Sequence, residues 1–145
     1  ECMQAIEDRV VQPGDVIVSR NQGLKGGPAM GGGASLVLFA LDAAGLAKTT
    51  AFVTDGQLSG LCLKGLTVAE VHPEAATGGP IGKIRDGDTI TISVAGRSID
   101  VDVPADELAR RNGPGWKTPA TGYLDTFRHD VRDMSTGGVL VPAKE

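Results

Sequence analysis

The sequence predicts a single α+β domain, rich in short strands that form a distorted barrel or sandwich with helices packed on it. Three observations carry that expectation. The chain has 145 residues, 41% hydrophobic but only 3% aromatic, so one core is expected and it must be built from Val, Ile, Leu and Ala. Turn signals recur at 12–15, 85–88 and 95–97 and cut the apolar runs to strand length. Two neighbouring segments, 89–94 and 98–103, alternate with period two, as strands with one buried face do.

The elements follow in order. Met3, Ile6 and Val10 stand at i, i+3 and i+7, so 1–10 reads as the tail of a helix already under way. With Glu1 rather than Met at the start, a piece of a longer chain is expected. Gln12-Pro13-Gly14-Asp15 is a turn, because Pro sets φ for the first central position and Gly permits the second. A short buried strand covers 15–19. A glycine-rich loop of unusual length covers 21–33, and long loops inside compact domains are often functional. A helix is expected over 34–44, stopped by Gly45. Strands are expected over 50–54 and 66–71, with a loop over 57–64 between them. Segment 73–76 makes one helical turn or a bend, and 81–84 a short strand. Arg85-Asp86-Gly87-Asp88 turns into the first alternating strand, and Ala95-Gly96-Arg97 closes a hairpin onto the second. A helix over 104–111 has Pro in its first turn and acidic residues early. A linker covers 113–120. Segment 123–131 is amphipathic, with Leu124, Phe127 and Val131 on one face. Segment 137–141 is an edge strand or docking tail. Nothing repeats at a fixed period.

Several function classes fall away on composition. The net charge is −4 and no Lys/Arg cluster occurs, which argues against a nucleic-acid surface. No apolar run approaches the roughly 18 residues of a membrane span; the longest, 34–41, ends at Asp42. There is no signal-peptide pattern. Cys2 and Cys62 lie far apart; a disulfide is open, but free thiols and a cytoplasmic location are expected. Two cysteines with His72 and His129 do not make a metal-ligand set at these spacings.

Ser59 is the sharpest candidate for chemistry. It stands in Asp55-Gly56-Gln57-Leu58-Ser59-Gly60, directly after an apolar strand. It reads either as a base or substrate-holding hydroxyl, or as a turn serine bonded to its own backbone. The turn reading comes first on sequence alone, because a serine hydroxyl needs a cation or metal to act as a base. Asp55 reads equally as a site residue or as a turn aspartate on neighbouring N–H groups. Gly26-Gly27-Pro28 and Gly78-Gly79-Pro80 could gather N–H groups into oxyanion or carboxylate cradles, or serve as barrel corners. Lys25 could neutralise a substrate carboxylate, though such lysines are more often solvated. His72 and Glu74 flank a turn and could do acid–base work, with a surface role ahead of it. His129 reads as a solvated face residue.

Taken together, four ordered motifs resemble one family. They are Lys25-Gly26-Gly27-Pro28-Ala29-Met30, Thr54-Asp55-Gly56-Gln57-Leu58-Ser59-Gly60, Val71-His72-Pro73-Glu74-Ala75-Ala76 with Gly78-Gly79-Pro80-Ile81, and Asp86-Gly87-Asp88. They resemble the C-terminal domain of the dihydroxy-acid dehydratase family, which includes dihydroxy-acid, phosphogluconate and sugar-acid dehydratases of amino-acid biosynthesis and sugar-acid metabolism. The resemblance runs from Pro13 to Gly138. It implies a swivelling β/β/α-type domain, a barrel-like sheet with peripheral helices. It implies a hydro-lyase that takes water from a 2,3-dihydroxy acid or sugar acid and yields a 2-keto acid through an enol. It implies Ser59 as the base at C2, with Asp55, Lys25, Gly26, Gly27, Pro28 and Gly60 shaping the substrate pocket. It implies an iron–sulfur cluster and Mg²⁺ in the full-length enzyme, held mainly by an N-terminal domain that is the partner of this one, and a homo-oligomeric parent. This domain alone is expected to hold no metal and to be inactive, and Cys2 and Cys62 are not cluster ligands on this reading.

Two positions depart from the family pattern. Gly32 stands where the family usually has a Mg²⁺-binding Glu, and Gln57 where Arg usually follows Asp-Gly. The Gly32 departure supports a second reading, a non-catalytic binding or assembly module that keeps the fold without the metal carboxylate. A third reading is a small-anion-binding domain built on the glycine turns, with Trp116 as a fluorescent reporter.

Overall fold

The computed structural model describes residues 1–27, 32–62, 64–113 and 121–141. The chain begins with helix α1 (Cys2–Glu7). The 12–15 turn follows as expected: Asp15 N–H donates to the Gln12 carbonyl at 3.1 Å, Gln12 N–H to Asp15 Oδ2 at 2.8 Å, and Gly14 takes φ +99°. Strand β1 (Val16–Ser19) leads through the glycine-rich loop to helix α2 (Gly32–Ala43), which returns the chain to strand β2 (Ala51–Thr54). β1 and β2 pair in parallel, Val16 opposite Ala51 and Ser19 opposite Thr54. Strand β3 (Leu66–Val68) adds to the other side of β2, also parallel, giving the order β1-β2-β3. A parallel pair needs a crossover, and α2 supplies it between β1 and β2.

The end of α2 is set by local sequence. Gly45 adopts φ +76°, its N–H donates to the Asp42 carbonyl, and Leu46 N–H donates to the Leu41 carbonyl. These two bonds make a Schellman stop, which glycine enters without steric penalty. The buried face of α2 carries Ala34, Val37, Leu38 and Leu41, at i, i+3, i+4 and i+7. It packs with Ile6 of α1, Val11, Ile17 and Phe52 on one face of the sheet.

The opposite face carries a second cluster. Val53 buries against Ala75 and Ile81, joined by Val16, Val18, Val68, Ile84, Ile92 and Ile99. The strand period of two sends Ile17 and Phe52 to one cluster and Val16, Val18 and Val53 to the other. All four residues of β2 are buried, as a central parallel strand covered on both faces should be. The second cover consists of two 3₁₀ turns, Ala75–Thr77 and Pro80–Lys83, and the antiparallel hairpin β4 (Ile90–Ser93) and β5 (Ser98–Val101). Ile92 pairs with Ile99 across that hairpin, so its apolar residues share one face. Helix α3 (Ala105–Arg110) follows, then α4 (Tyr123–Asp130) and a 3₁₀ turn at Met134–Thr136. Arg111 ties this region to the 85–88 turn by a two-pronged bond to Asp88, Nη1 to Oδ2 and Nη2 to Oδ1, and it also bonds Glu107.

The α+β class is borne out. The barrel-like closure is not seen: among the described residues the strands form a three-stranded parallel sheet and a separate two-stranded hairpin. Segment 81–84, expected as a strand, is instead the body of a 3₁₀ turn, Pro80–Lys83, followed by an extended Ile84. Pro80 presets φ at its first position, and Gly82 lies so near Ala75 that an added Cβ would sit 3.1 Å from the Ala75 Cβ. β3 stops at Val68, short of the expected Val71, because the chain bends at Glu70 (φ +56°) to send the Val71 N–H to the Thr54 carbonyl. At the C-terminal end of the described chain, 137–141 makes a single bridge, Val131 with Leu140, in place of a strand. Of the expected linker, 114–120 lies outside the described residues.

Candidate functional site

Three loops leave the carboxyl ends of β1, β2 and β3. They carry, in turn, Lys25, Gly26 and Gly27; Asp55, Ser59 and Gly60; and His72 and Glu74. Because α2 returns antiparallel to the strands, its N-terminus opens at the same edge. In open parallel sheets this edge is where ligands bind. Sheet topology thus gathers candidates that lie up to 49 residues apart in sequence.

Two buried carboxylates wire the three loops together. Asp55, only 2% exposed, accepts the N–H groups of Asn21 (3.1 Å), Gln22 (2.9 Å) and Ala75 (2.9 Å). Glu74 accepts the Lys25 N–H at 2.8 and 3.2 Å on its two oxygens, with the Gly26 N–H directed at it as well. Burial pushes the Glu74 carboxyl above the usual range; the neighbouring Asp55 charge adds to the rise and the loop amides oppose it. Glycine is needed where the loops touch. A Cβ on Gly23 would collide with Glu74 Oε2, and one on Gly56 would lie 2.6 Å from the Gln22 Cβ.

Lys25 is half-buried and its ammonium is hydrogen-bonded. Its Nζ donates to the Arg128 carbonyl at 2.8 Å, and Arg128 Nη2 donates back to the Gly26 carbonyl at 3.3 Å. This reciprocal pair docks α4 on the loop. The Gly27 N–H is taken by the Gly23 carbonyl. The second glycine turn is also bonded internally: Gly78 N–H donates to the Ala75 carbonyl and Gly79 N–H to the Glu74 carbonyl, so it serves as a corner. Pro28 lies outside the described residues.

Ser59 is half-buried and Gly60 is exposed. Ser59 Oγ accepts the Leu61 N–H at 3.3 Å, and its carbonyl accepts the Cys62 N–H. That is the turn geometry of the plainer reading. Nearby, Cys62 Sγ donates to Ser35 Oγ in the first turns of α2. His72 Nδ1 pairs with Asp133 Oδ1 at 3.0 Å; the Ser135 hydroxyl on the same oxygen holds the Asp133 carboxyl below its usual range. His129 is exposed and bonds the Asp125 carbonyl within its own helix. Cys2 and Cys62 are both free thiols, and burial pushes the Cys2 thiol up.

An open groove of about 1200 Å³ runs along β1 and the 84–90 segment and ends beside Gln22, Gly26, Gly27 and Arg128. Ser59 and Asp55 do not line it. Lys25, Asp55, His72 and Glu74 instead border a small cleft of about 10 Å³, room for about one water. Sequence reasoning missed Arg128. It lies 102 residues from Gly26, and no local pattern pairs the two.

These residues do not fit a metal or cluster. Among the described residues no group of three or more His, Cys, Asp or Glu is arranged to hold an ion. Both buried carboxylates are committed to backbone amides, and position 32, at the mouth of α2, is glycine. Also among the described residues, no helix is long and apolar enough to cross a membrane.

Comparison with protein families agrees with the loop motifs. A family model described as dihydroxy-acid/6-phosphogluconate dehydratase C-terminal matches residues 1–138. That span takes in all three carboxyl-edge loops, the two buried carboxylates and α4, and on it the chain belongs to the dihydroxy-acid/6-phosphogluconate dehydratase C-terminal family.

Proposed function

We propose that the whole chain, 1–145, is one domain that completes the substrate site of a cytoplasmic hydro-lyase. The substrate class is a 2,3-dihydroxy acid or sugar acid, and the product a 2-keto acid. The observation that carries this reading is the gathering of three of the family's motif loops at the carboxyl edge of one parallel sheet. In this reading Ser59 takes the C2 proton, the C3–O bond breaks and the leaving hydroxide receives that proton and departs as water, and the resulting enol tautomerises to the keto acid. Asp55 acts indirectly, holding the loop that carries Lys25, Gly26, Gly27 and Pro28 against the substrate. Gly60 keeps the backbone beside Ser59 open.

A serine hydroxyl is a weak base without assistance, and none of the described residues supplies it. The isolated chain is therefore proposed to be inactive and to work with the N-terminal domain of its parent, in a homo-oligomer. A second reading keeps the fold and drops the chemistry: a binding or assembly module. It is favoured by Gly32 and by the commitment of Asp55 and Glu74 to backbone amides.

The test is 2-keto acid formation by the full-length parent across branched dihydroxy acids and aldonic acids, wild type against Ser59→Ala. A general base contributes about 10²- to 10⁴-fold, so kcat should fall by that order with little change in KM. An active wild type matched by an equally active Ser59→Ala would remove Ser59 from the role of base. An inactive wild type with intact cofactors would select the module reading.

A further inference from the structure

Backbone amides in a glycine-rich loop are a ready cradle for an anion. In this chain the cradle is already occupied. Asn21 and Gln22 give their N–H groups to Asp55, and Lys25 gives its N–H to Glu74, with Gly26 aimed at the same carboxylate. The Gly27 N–H goes to the Gly23 carbonyl. Five amides of one short loop thus face groups of the chain itself.

We infer that Glu74 is the positioning residue of the glycine-rich loop: its carboxylate is the resident anion of the Lys25–Gly26 amide pair, and the loop takes its shape around that charge.

Three features support the inference. Glu74 is buried, 9% exposed, and a buried carboxylate is tolerated only where donors meet it. Gly23 has no room for a side chain because Glu74 Oε2 fills the space, so the glycine there is explained by the glutamate and not by backbone freedom alone. The outer side of the same loop is braced by α4, through Lys25 Nζ to the Arg128 carbonyl and Arg128 Nη2 to the Gly26 carbonyl. The loop is therefore held by a charge from inside and by a helix from outside. One consequence is that the Lys25 and Gly26 amides are closed to a ligand carboxylate. An acid substrate must find its counter-charge elsewhere, which excludes the open-cradle form of anion binding at this turn. The inference does not rest on the dehydratase reading, since it concerns the loop and its charge.

The test is chemical rescue. Glu74→Ala should empty the cradle, and formate should refill it, because it has the same carboxylate on a smaller body. Stabilisation by a ligand that binds only the folded state grows with its concentration, so formate at about 0.1–0.5 M should raise the unfolding midpoint of Glu74→Ala. Sodium chloride at equal ionic strength should not, and wild type should respond alike to both salts. Equal response of Glu74→Ala to formate and chloride would overturn the inference. If Glu74→Ala does not fold in buffer, the same comparison is made on its refolding yield, with the same two outcomes. A second measurement does not depend on rescue. Gly23→Ala should destabilise strongly beside Glu74 and far less in a Glu74→Ala background. An equal loss in both backgrounds would show that the glutamate does not shape the loop.

Discussion

Asp55 and Glu74 do related work with different consequences for stability. Asp55 satisfies three amides from two loops. Asp55→Ala leaves those buried donors unpaired, at about 1–3 kcal/mol each, so a loss of several kcal/mol is expected in urea denaturation. Asp55→Asn keeps one acceptor oxygen and should lose less. A loss below about 1 kcal/mol for the alanine variant would mean the loops are held otherwise. Glu74 is raised in the fold, so the unfolded chain gives up its proton first as pH rises. Stability is therefore greatest below the ordinary glutamate pKa and falls as pH rises through the higher folded value, because burial makes ionisation costly; above that value the carboxylate still accepts the loop amides. Asp88 behaves oppositely. The Arg111 guanidinium holds its carboxyl below the usual range, so its contribution is present above the ordinary aspartate pKa and is lost as pH falls through the folded value. Stability profiles of Glu74→Gln and Asp88→Asn against wild type should therefore diverge from it at opposite ends of the acid range. Divergence at the same end would show that one of the two shifts has the wrong sign.

At the scale of elements, the βαβ unit of β1, α2 and β2 is the part on which the site stands. Leu41 and Phe52, 1% and 0% exposed, join α2 to the sheet. Leu41→Ala is expected to cost about 2–5 kcal/mol through the cavity it leaves, and Gly45→Ala about 1 kcal/mol through its left-handed backbone; both are read from denaturation midpoints. β1 makes a sharper prediction. Ala51 N–H donates to the Asp15 carbonyl, so in the parallel ladder Ile17 and Ser19 face β2, while Val16 and Val18 turn their N–H groups to the other edge. Among the described residues no strand pairs with that edge. Amide exchange in this chain should therefore alternate, slow at Ile17 and Ser19 and fast at Val16 and Val18. Uniform protection along β1 would reveal a partner on that side.

At the scale of the whole molecule, two apolar clusters on opposite faces of one small sheet place three motif loops at a single edge. Much of this was legible in the sequence because it is local. The period of 89–94 and 98–103 marked the hairpin, Gly45 the end of α2, and the 85–88 turn its own tight bend. The errors also have local causes. Segment 81–84 looks like a strand in composition, yet Pro80 and the contact of Gly82 with Ala75 wind 80–83 into a 3₁₀ turn that ends at an extended Ile84. The 66–71 run reads as one strand, but a bond from Val71 to Thr54 bends it away after Val68.

What the sequence by itself determined was the α+β class, the order of most elements, and the motifs that mark the family. Those follow from periodicity, turn chemistry and residue identity, which act over a few positions. Only the tertiary structure decided what each site residue touches. It turned Asp55 from a turn aspartate into the clamp of three loops, Glu74 from a surface acid into a buried charge under the glycine turn, and Lys25 from a free cation into a brace against α4. The physical reason is that a hydrogen bond between residues 49 or 103 apart leaves no periodic trace in the chain. It comes into being only when parallel strands bring their carboxyl ends side by side and burial obliges each charge to find its donors.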